Sequence, residues 1–297
     1  MPSPLVSFII ITMNRSEELK DRLANVRLQE YPHKEIIVVD NGSIDDTRQT
    51  VRNNFPEVQY IYLENNLGVS GGRNKGTLAA QGEICIYIDD DARFVDPAAT
   101  DKTVEYFKNN KRLACIAFTI RNAFTGVEEY NAIPRVDKKR LDHDYQCTYF
   151  GGGGVALRRK IFLELGMFWE RFFYSCEELD YSYRLLDHGY KIIHSAAITI
   201  AHREAQQARP KGQWLYFNTR NRCWLAWKNL PWMYAVSMTL AWWGQTCFIG
   251  LRYGLFIYFI RGLRDALLSL PGIIKGRQSI SKDTVKLLKA FSGRLWF

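Results

Sequence analysis

Ile84-Cys85-Ile86-Tyr87-Ile88 runs directly into Asp89-Asp90-Asp91. Five β-branched, aromatic and apolar residues, preceded by Gln81-Gly82 as a stop for an earlier helix, read as a buried parallel strand. Parallel sheets place ligand sites outside the carboxyl ends of their strands, where Asp89 and Asp91 are spaced as an Asp-X-Asp pair able to hold Mg²⁺ or Mn²⁺ against a diphosphate. In isolation, three acids equally describe a solvated turn or a helix cap. Their neighbours decide between the two.

Upstream, residues 5–12 predict a first buried strand, and Met13-Asn14-Arg15-Ser16 turns it into a helix over about 17–29. Residues 35–39 form a second strand ending in Asp40-Asn41-Gly42-Ser43. Ser43-Ile44-Asp45-Asp46 matches a capping box, so a helix is expected at once. A third strand at 58–63 is followed by Asn65-Asn66-Leu67-Gly68-Val69-Ser70-Gly71-Gly72-Arg73-Asn74, which leads into a helix ending near Gln81. Four strands alternating with helices imply an α/β fold with a doubly wound, mostly parallel sheet flanked by helices. Thr12-Met13-Asn14-Arg15 stands where a dinucleotide fingerprint would follow the first strand, which disfavours NAD.

Downstream, 97–109 read as a helix and 113–120 as a strand. The polar, unpatterned stretch 121–147 has the length of a functional loop, and acceptor contacts are expected there. Gly151 to Gly154 permit either close backbone approach or a flexible turn. Residues 172–184 open a helix with Glu177, Glu178 and Asp180 in its first turn, and 191–200 form one or two strands ending at His202.

Composition bounds the class. A chain of 297 residues with 47% hydrophobic and 24% charged residues is long enough for one large α/β domain and an appendage. Six cysteines without a CxxC pair argue against a zinc site or a disulfide scaffold and for reduced thiols in the cytoplasm. The first apolar run is too short and strand-like for a signal peptide. Residues 1–202 hold 25 basic and 28 acidic residues, whereas 203–297 hold 15 and 3, so the net +9 comes from the C-terminal part. Those cations flank a Trp-rich apolar run, which fits an anionic membrane surface better than nucleic acid.

Several ordered motifs now stand in one chain: VSFIIITMNR, VVDNGS, NNLGVSGGRN, DDD and EELDYSYR, with Phe217-Asn218-Thr219-Arg220-Asn221 beyond them. Over roughly residues 5–225 they resemble inverting glycosyltransferase family 2 enzymes of the GT-A fold, in particular bacterial rhamnosyltransferase-like members. The resemblance implies a nucleotide-sugar donor lying across the strand ends. Asp40 would meet the base; Thr12, Asn14 and Arg15 would line the nucleotide pocket; Gly72 and Arg73 would approach the base or diphosphate; Asp89 and Asp90 would contact the ribose side. Asp91, Asp89 and His202 would hold the metal. Asp40 also fits a turn residue, Arg73 a surface charge, and His202 a structural histidine.

Inverting displacement requires a base for the acceptor hydroxyl. Members of the family commonly show Glu-Asp-X-Asp, and this chain has Glu177-Glu178-Leu179-Asp180, so Glu178 is the expected base with Glu177 second. Ser175 and Glu178 also satisfy a capping box. Asp180 and Arg184, one turn apart, read as a structural pair. The implied reaction is transfer of a hexosyl or deoxyhexosyl unit to a saccharide or lipid-linked acceptor in cell-surface polysaccharide synthesis; the alternatives are transfer to a polyprenyl phosphate, or a non-catalytic nucleotide-binding scaffold.

Residues 1–225 are therefore read as the catalytic domain and 226–297 as an amphipathic helical region that lies on the inner face of the cell membrane. Trp232, Trp242 and Trp243 are expected at headgroup depth, with Arg261, Arg264, Lys275, Arg277, Lys282, Lys286 and Lys289 toward anionic lipid. A homo-oligomer interface or a helical cap on the sheet would use the same apolar surface.

Overall fold

The computed structural model describes residues 3–203 and 211–295. The last two residues of the expected C-terminal region, 296 and 297, lie outside that range. In chain order the elements are β1 (Val6–Thr12), α1 (Ser16–Arg27), β2 (Lys34–Asp40), α2 (Thr47–Asn54), β3 (Gln59–Tyr62), α3 (Gly68–Ala79), β4 (Ile84–Ile88), β5 (Ala92–Phe94), α4 (Ala99–Asn109) and β6 (Leu113–Asn122). There follow β7 (Tyr145–Cys147), β8 (Gly154–Arg158), α5 (Arg159–Glu164), α6 (Glu177–Asp187), β9 (Lys191–His202), α7 (Lys211–Asn229), α8 (Trp232–Arg252), α9 (Phe256–Lys275) and α10 (Lys282–Ala290).

One sheet runs in the order β3-β2-β1-β4-β8-β6-β9-β5, with β7 paired to β9. Its first four strands are parallel, as the βα alternation requires. Beyond β4 the sheet is mixed, which corrects the mostly parallel expectation. β8 runs antiparallel to both β4 and β6, while β6 and β9 are parallel. Antiparallel pairing sets Gly154 opposite Ile88, so the glycine run meets the strand end that carries the aspartates.

Side chains alternate across the sheet with period two. Val6, Phe8, Ile10, Ile36, Val38, Ile84 and Ile86 face a core closed by α1 and α4, while Ile9, Ile37, Val39, Cys85 and Tyr87 face the other. That second core includes Tyr234, Ala235, Met238 and Trp242 of α8, Ile273 of α9, and Val285 and Leu288 of α10. The inner surfaces of the C-terminal helices thus join the core on one side of the sheet, packing on α6 and α7, and do not form a tail free for a membrane. Residue 225 lies inside α7, so the chain enters this helical region without a break.

The expected tryptophan belt changes accordingly. Trp242 is buried with the Arg222 guanidinium 4.1 Å from its ring centre, and Trp243 is half-buried, donating to the Thr219 carbonyl. Only Trp232 of the three is exposed, and Arg277 lies over it while donating to the carbonyls of Trp227 and Leu230.

Candidate active site

A cavity of about 630 Å³ opens at the carboxyl ends of β1 and β4, a volume suited to a ligand of nucleotide-sugar size. Thr12, Asn14, Arg15, Arg73, Asp89, Asp90, Asp91, Glu177, Glu178 and His202 all line it. Two expected residues do not. The Asp40 carboxylate is fully buried, accepting from the Ser43 N–H at 2.7 Å and from the Tyr60 hydroxyl, so it fixes the turn after β2. Gly72 instead lets α3 approach β1: a Cβ there would come within 3.0 Å of both Asn41 Nδ2 and Ile11 Cγ2. Asn41, which the motif reading passed over, lines the cavity and ties the end of β2 to the start of α3 through Leu67 N and Gly68 O.

The Ser43 capping box does not form. Ser43 Oγ accepts from the Asn14 N–H, Asn14 Oδ1 accepts from Ile44 N, and Asp45 Oδ1 takes the Thr47 N–H where α2 starts. Asn14 adopts φ 53°, a left-handed conformation that its short polar side chain tolerates. Side-chain oxygens near the helix start are used instead to close the loop after β2 against the loop after β1.

The acid cluster divides into roles. Asp90 accepts from Thr12 Oγ1 at 2.9 Å and from Arg15 Nη1 at 2.5 Å. Burial, opposed by Arg15 and reinforced by the Asp91 charge, pushes its carboxyl up to about 6. Asp89 and Asp91, just past β4, and His202, at the end of β9, each offer a ligand atom within 4.8 Å of the others. His202 Nε2 lies 3.2 Å from Asp91 Oδ1, and Nδ1 lies 2.8 Å from Glu129 Oε1. Burial opposes the charge on His202, but its hydrogen bonds to Asp91 and Glu129 outweigh it and raise the imidazole to about 10. In turn burial raises Asp91, yet His202 and Arg15 hold it below the usual carboxylate range. A divalent ion bound at Nε2 would take the place of the proton that this ring nitrogen directs at Asp91. Two carboxylates and an imidazole at this separation form an oxygen and nitrogen set that fits Mg²⁺ or Mn²⁺, and the Glu129 partner on the far ring nitrogen is the support that metal-binding histidines ordinarily have. Glu129 comes from the 121–147 stretch, which therefore contributes to this corner as well as to any acceptor contacts.

On the opposite side, Arg73 is buried between acids. Its Nη2 donates to Asp89 Oδ1 at 2.9 Å and to the Gly152 carbonyl at 2.7 Å, while Nη1 lies 3.5 Å from Glu178 Oε1. Arg73 is thus committed to orienting the carboxylates, and the surface-charge alternative is overturned. The glycine run is explained here too: a Cβ on Gly152 would sit 2.4 Å from Glu178 Oε1 and 2.7 Å from Arg73 Nη1. Close approach, and not flexibility, requires glycine at that position.

Glu177 and Glu178 differ by burial. The Glu177 side chain is 2% exposed, and burial, with Glu178 alongside, pushes its carboxyl well above the ordinary range despite Arg73 3.9 Å away. The Glu178 side chain is 21% exposed and reaches the cavity. No side-chain cap closes α6: its N-cap is Cys176 at φ 79°, and the Ser175 box is not made. Phe173, Ser175 and Cys176 all have positive φ, conformations that cost about 1–3 kcal/mol each in non-glycine residues and persist only when surroundings enforce them.

The enforcing group is Asn221. Asn221 is fully buried on α7, and its Nδ2 donates to the carbonyls of Phe172, Tyr174 and Ser175 at 2.7–3.0 Å, while Phe217 stacks on Phe173 at 5.5 Å. Arg220 adds donations to Arg171 O and Phe172 O. The Phe217–Asn221 motif is therefore a clamp on the strained approach to Glu178. Asn221→Ala is expected to cost roughly 1–3 kcal/mol in urea unfolding, as buried carbonyls lose their donor, and to lower turnover more than donor affinity. An unchanged turnover in a stably folded variant would show that the clamp does not position Glu178.

Residues 7–166 match the family described as Glycosyl transferase family 2, more than half of the chain. The chain belongs to this family. A protein of uncharacterised function from Haemophilus influenzae is 33% identical to this glycosyltransferase over 164 residues, 52% of this chain and 88% of that one. A poly-beta-1,6-N-acetyl-D-glucosamine synthase from Staphylococcus epidermidis is 32% identical over 114 residues, spanning 37% of this chain and only 27% of the synthase. Among solved structures, the mannosyltransferase PcManGT from Pyrobaculum calidifontis, in complex with GDP-Man and Mn²⁺, superposes with a TM-score of 0.60 at 18% identity, covering 97% of this chain and 79% of that one. That likeness identifies the glycosyltransferase fold as GT-A.

Proposed function

We propose that this family 2 glycosyltransferase moves a hexosyl or deoxyhexosyl unit, with inversion, from a nucleoside-diphosphate sugar to a hydroxyl of a saccharide or lipid-linked acceptor. The observation that carries the reading is the single Arg73 guanidinium between Asp89, of the candidate metal corner, and Glu178. Glu178 takes the proton of the acceptor hydroxyl as that oxygen attacks the anomeric carbon, and the bond to the diphosphate breaks on the opposite face. Arg73 and Gly152 orient Glu178, Asp90 orients Arg15, and Asn41 and Asn14 hold the nucleotide-side loops. A divalent ion held by Asp89, Asp91 and His202 would neutralise charge on the departing diphosphate. The mannosyltransferase captured with GDP-Man and Mn²⁺ supports the donor class, and the relative named for polymer synthesis supports a cell-surface polysaccharide. Six unpaired cysteines fit action on the cytoplasmic side of the membrane.

Thermal denaturation with a panel of nucleotide sugars, with and without Mn²⁺, tests the reading. The cognate donor at about 100 times its dissociation constant is expected to add about 2.7 kcal/mol of stability. Asp91→Ala should abolish the Mn²⁺-dependent part, read against the variant's own unliganded melting temperature, because Asp91 is only 11% exposed and its loss also leaves Arg15 and His202 without a carboxylate at 3.2 Å. Equal nucleotide affinity with and without Mn²⁺ in both proteins would remove the metal from the reading.

A further inference from the structure

The outer surface of α8 is apolar where a soluble helix is polar. Met233, Val236, Leu240, Phe248 and Leu251 are exposed at the spacing of one helical stripe, while Ala235, Met238 and Trp242 on the other side pack into the core. On α9 the stripe is continued by exposed Ile257, Ile260, Leu267 and Leu268, the last of them 74% exposed. Helices apolar on every side belong in a core or in lipid. Soluble surfaces scatter such residues singly, whereas here they form one face over two helices that pack on α7. None among the described residues is long and apolar enough to cross a membrane.

Charge identifies the occupant. α8 has no acidic residue, and the one acid of α9, Asp265, is already engaged by the Tyr216 hydroxyl at 2.7 Å and by Arg264 at 2.9 Å. Arg252, Arg261, Arg264 and Lys275 stand exposed around the apolar stripes. A second copy docked here about a two-fold axis would set these cations against their own counterparts with no carboxylate to receive them. Anionic lipid supplies both the apolar interior and the negative surface.

We propose that the outer face of α8 and α9 lies in the headgroup plane of an anionic bilayer. The contact places the cavity close to the lipid. α7 lines the cavity with Gln213, Trp214 and Phe217, and α9 packs directly on the same turns, since a Cβ on Gly262 would meet the Tyr216 carbonyl at 2.7 Å. One helix diameter, about 10 Å, thus separates the docked face from the cavity wall. The docking itself does not depend on the transfer chemistry, and its test reads binding alone.

In flotation assays the full-length chain is expected to rise with phosphatidylglycerol–phosphatidylcholine vesicles and not with phosphatidylcholine alone. Raising salt from about 0.1 M to 1 M should release it, because the screening length falls from about 10 Å to 3 Å. Arg261→Gln/Lys275→Gln should weaken binding roughly 30-fold, each cation near an anionic surface counting for about a factor of five. Leu240→Gln/Phe248→Gln should abolish it with an unchanged melting temperature, since both side chains are exposed. Failure to float with the anionic vesicles, or equal flotation with neutral ones, overturns the proposal. So does a concentration-dependent dimer that ignores vesicles and that Leu240→Gln/Phe248→Gln splits into monomers.

Discussion

Glu178→Gln is expected to slow sugar transfer by about 10² to 10⁴ while leaving nucleotide-sugar affinity unchanged, the range that loss of a general base produces. The amide keeps the size of the side chain and an oxygen toward Arg73 Nη1, 3.5 Å away, so the pocket retains its shape. No helix cap is lost, because α6 begins at left-handed Cys176 without a side-chain cap bond. Stability therefore stays out of the comparison. Glu177→Gln provides the contrast: burial already disfavours ionisation of that carboxyl, so removing its proton-accepting ability costs far less. Single-turnover transfer rates, set beside donor affinity measured by titration calorimetry, separate the two residues. Wild-type turnover in Glu178→Gln would eliminate it as the base and direct attention to an acceptor that arrives already ionised, such as a lipid phosphate.

The sequence was most legible where one residue carries one physical demand. Continuous β-branched and apolar runs read as β1, β2 and β4 and are found there, and Asp89, Asp91 and His202, which only the family resemblance grouped, bring their ligand atoms within 4.8 Å of one another. Patterns that several structures can satisfy were not legible. Ser43 and Ser175 each open a formal capping box, yet neither closes a helix, because competing partners from distant segments take the oxygens or the backbone turns left-handed first. Asp40 fits a base-binding acid in its motif, but the partner that commits it is Tyr60, twenty residues away. Direction of β8 depends on long-range pairing that local propensity does not encode. The Trp-rich run illustrates the same limit: composition gave an apolar helix, but only packing on α7 showed that Trp242 faces inward and Leu240 and Phe248 outward. Asn221 was visible as part of a motif, and its work on three carbonyls was not.

Asp180→Ala is expected to destabilise the fold by about 3–5 kcal/mol, the cost of removing one member of a buried ion pair. Asp180 is fully buried and receives Arg184 Nη2 at 2.8 Å, Lys228 Nζ at 2.6 Å and Asn229 Nδ2 at 2.8 Å. It joins the first turn of α6 to the last turn of α7, the two helices that also hold Glu178 and Asn221. Truncation leaves two largely buried cations without a counter-charge, which is why the effect exceeds that of an exposed pair. Burial opposes ionisation of Asp180, but Arg184 and Lys228 outweigh it and hold the carboxyl below its ordinary value. A depressed folded value means that this stabilisation is fully present above about pH 4 and is lost as the pH falls through the folded value. Urea unfolding at pH 7 should thus separate wild type from Asp180→Ala by the full amount, and the gap should narrow at lower pH. Replacing Asp180 together with one of its two cations, Asp180→Leu with Lys228→Leu, should recover part of the loss, because only Arg184 is then left without a counter-charge and it keeps the Leu165 and Met167 carbonyls as partners. A loss below about 1 kcal/mol at pH 7 would place Asp180 with solvent-exposed pairs and remove it as the tie between the helices.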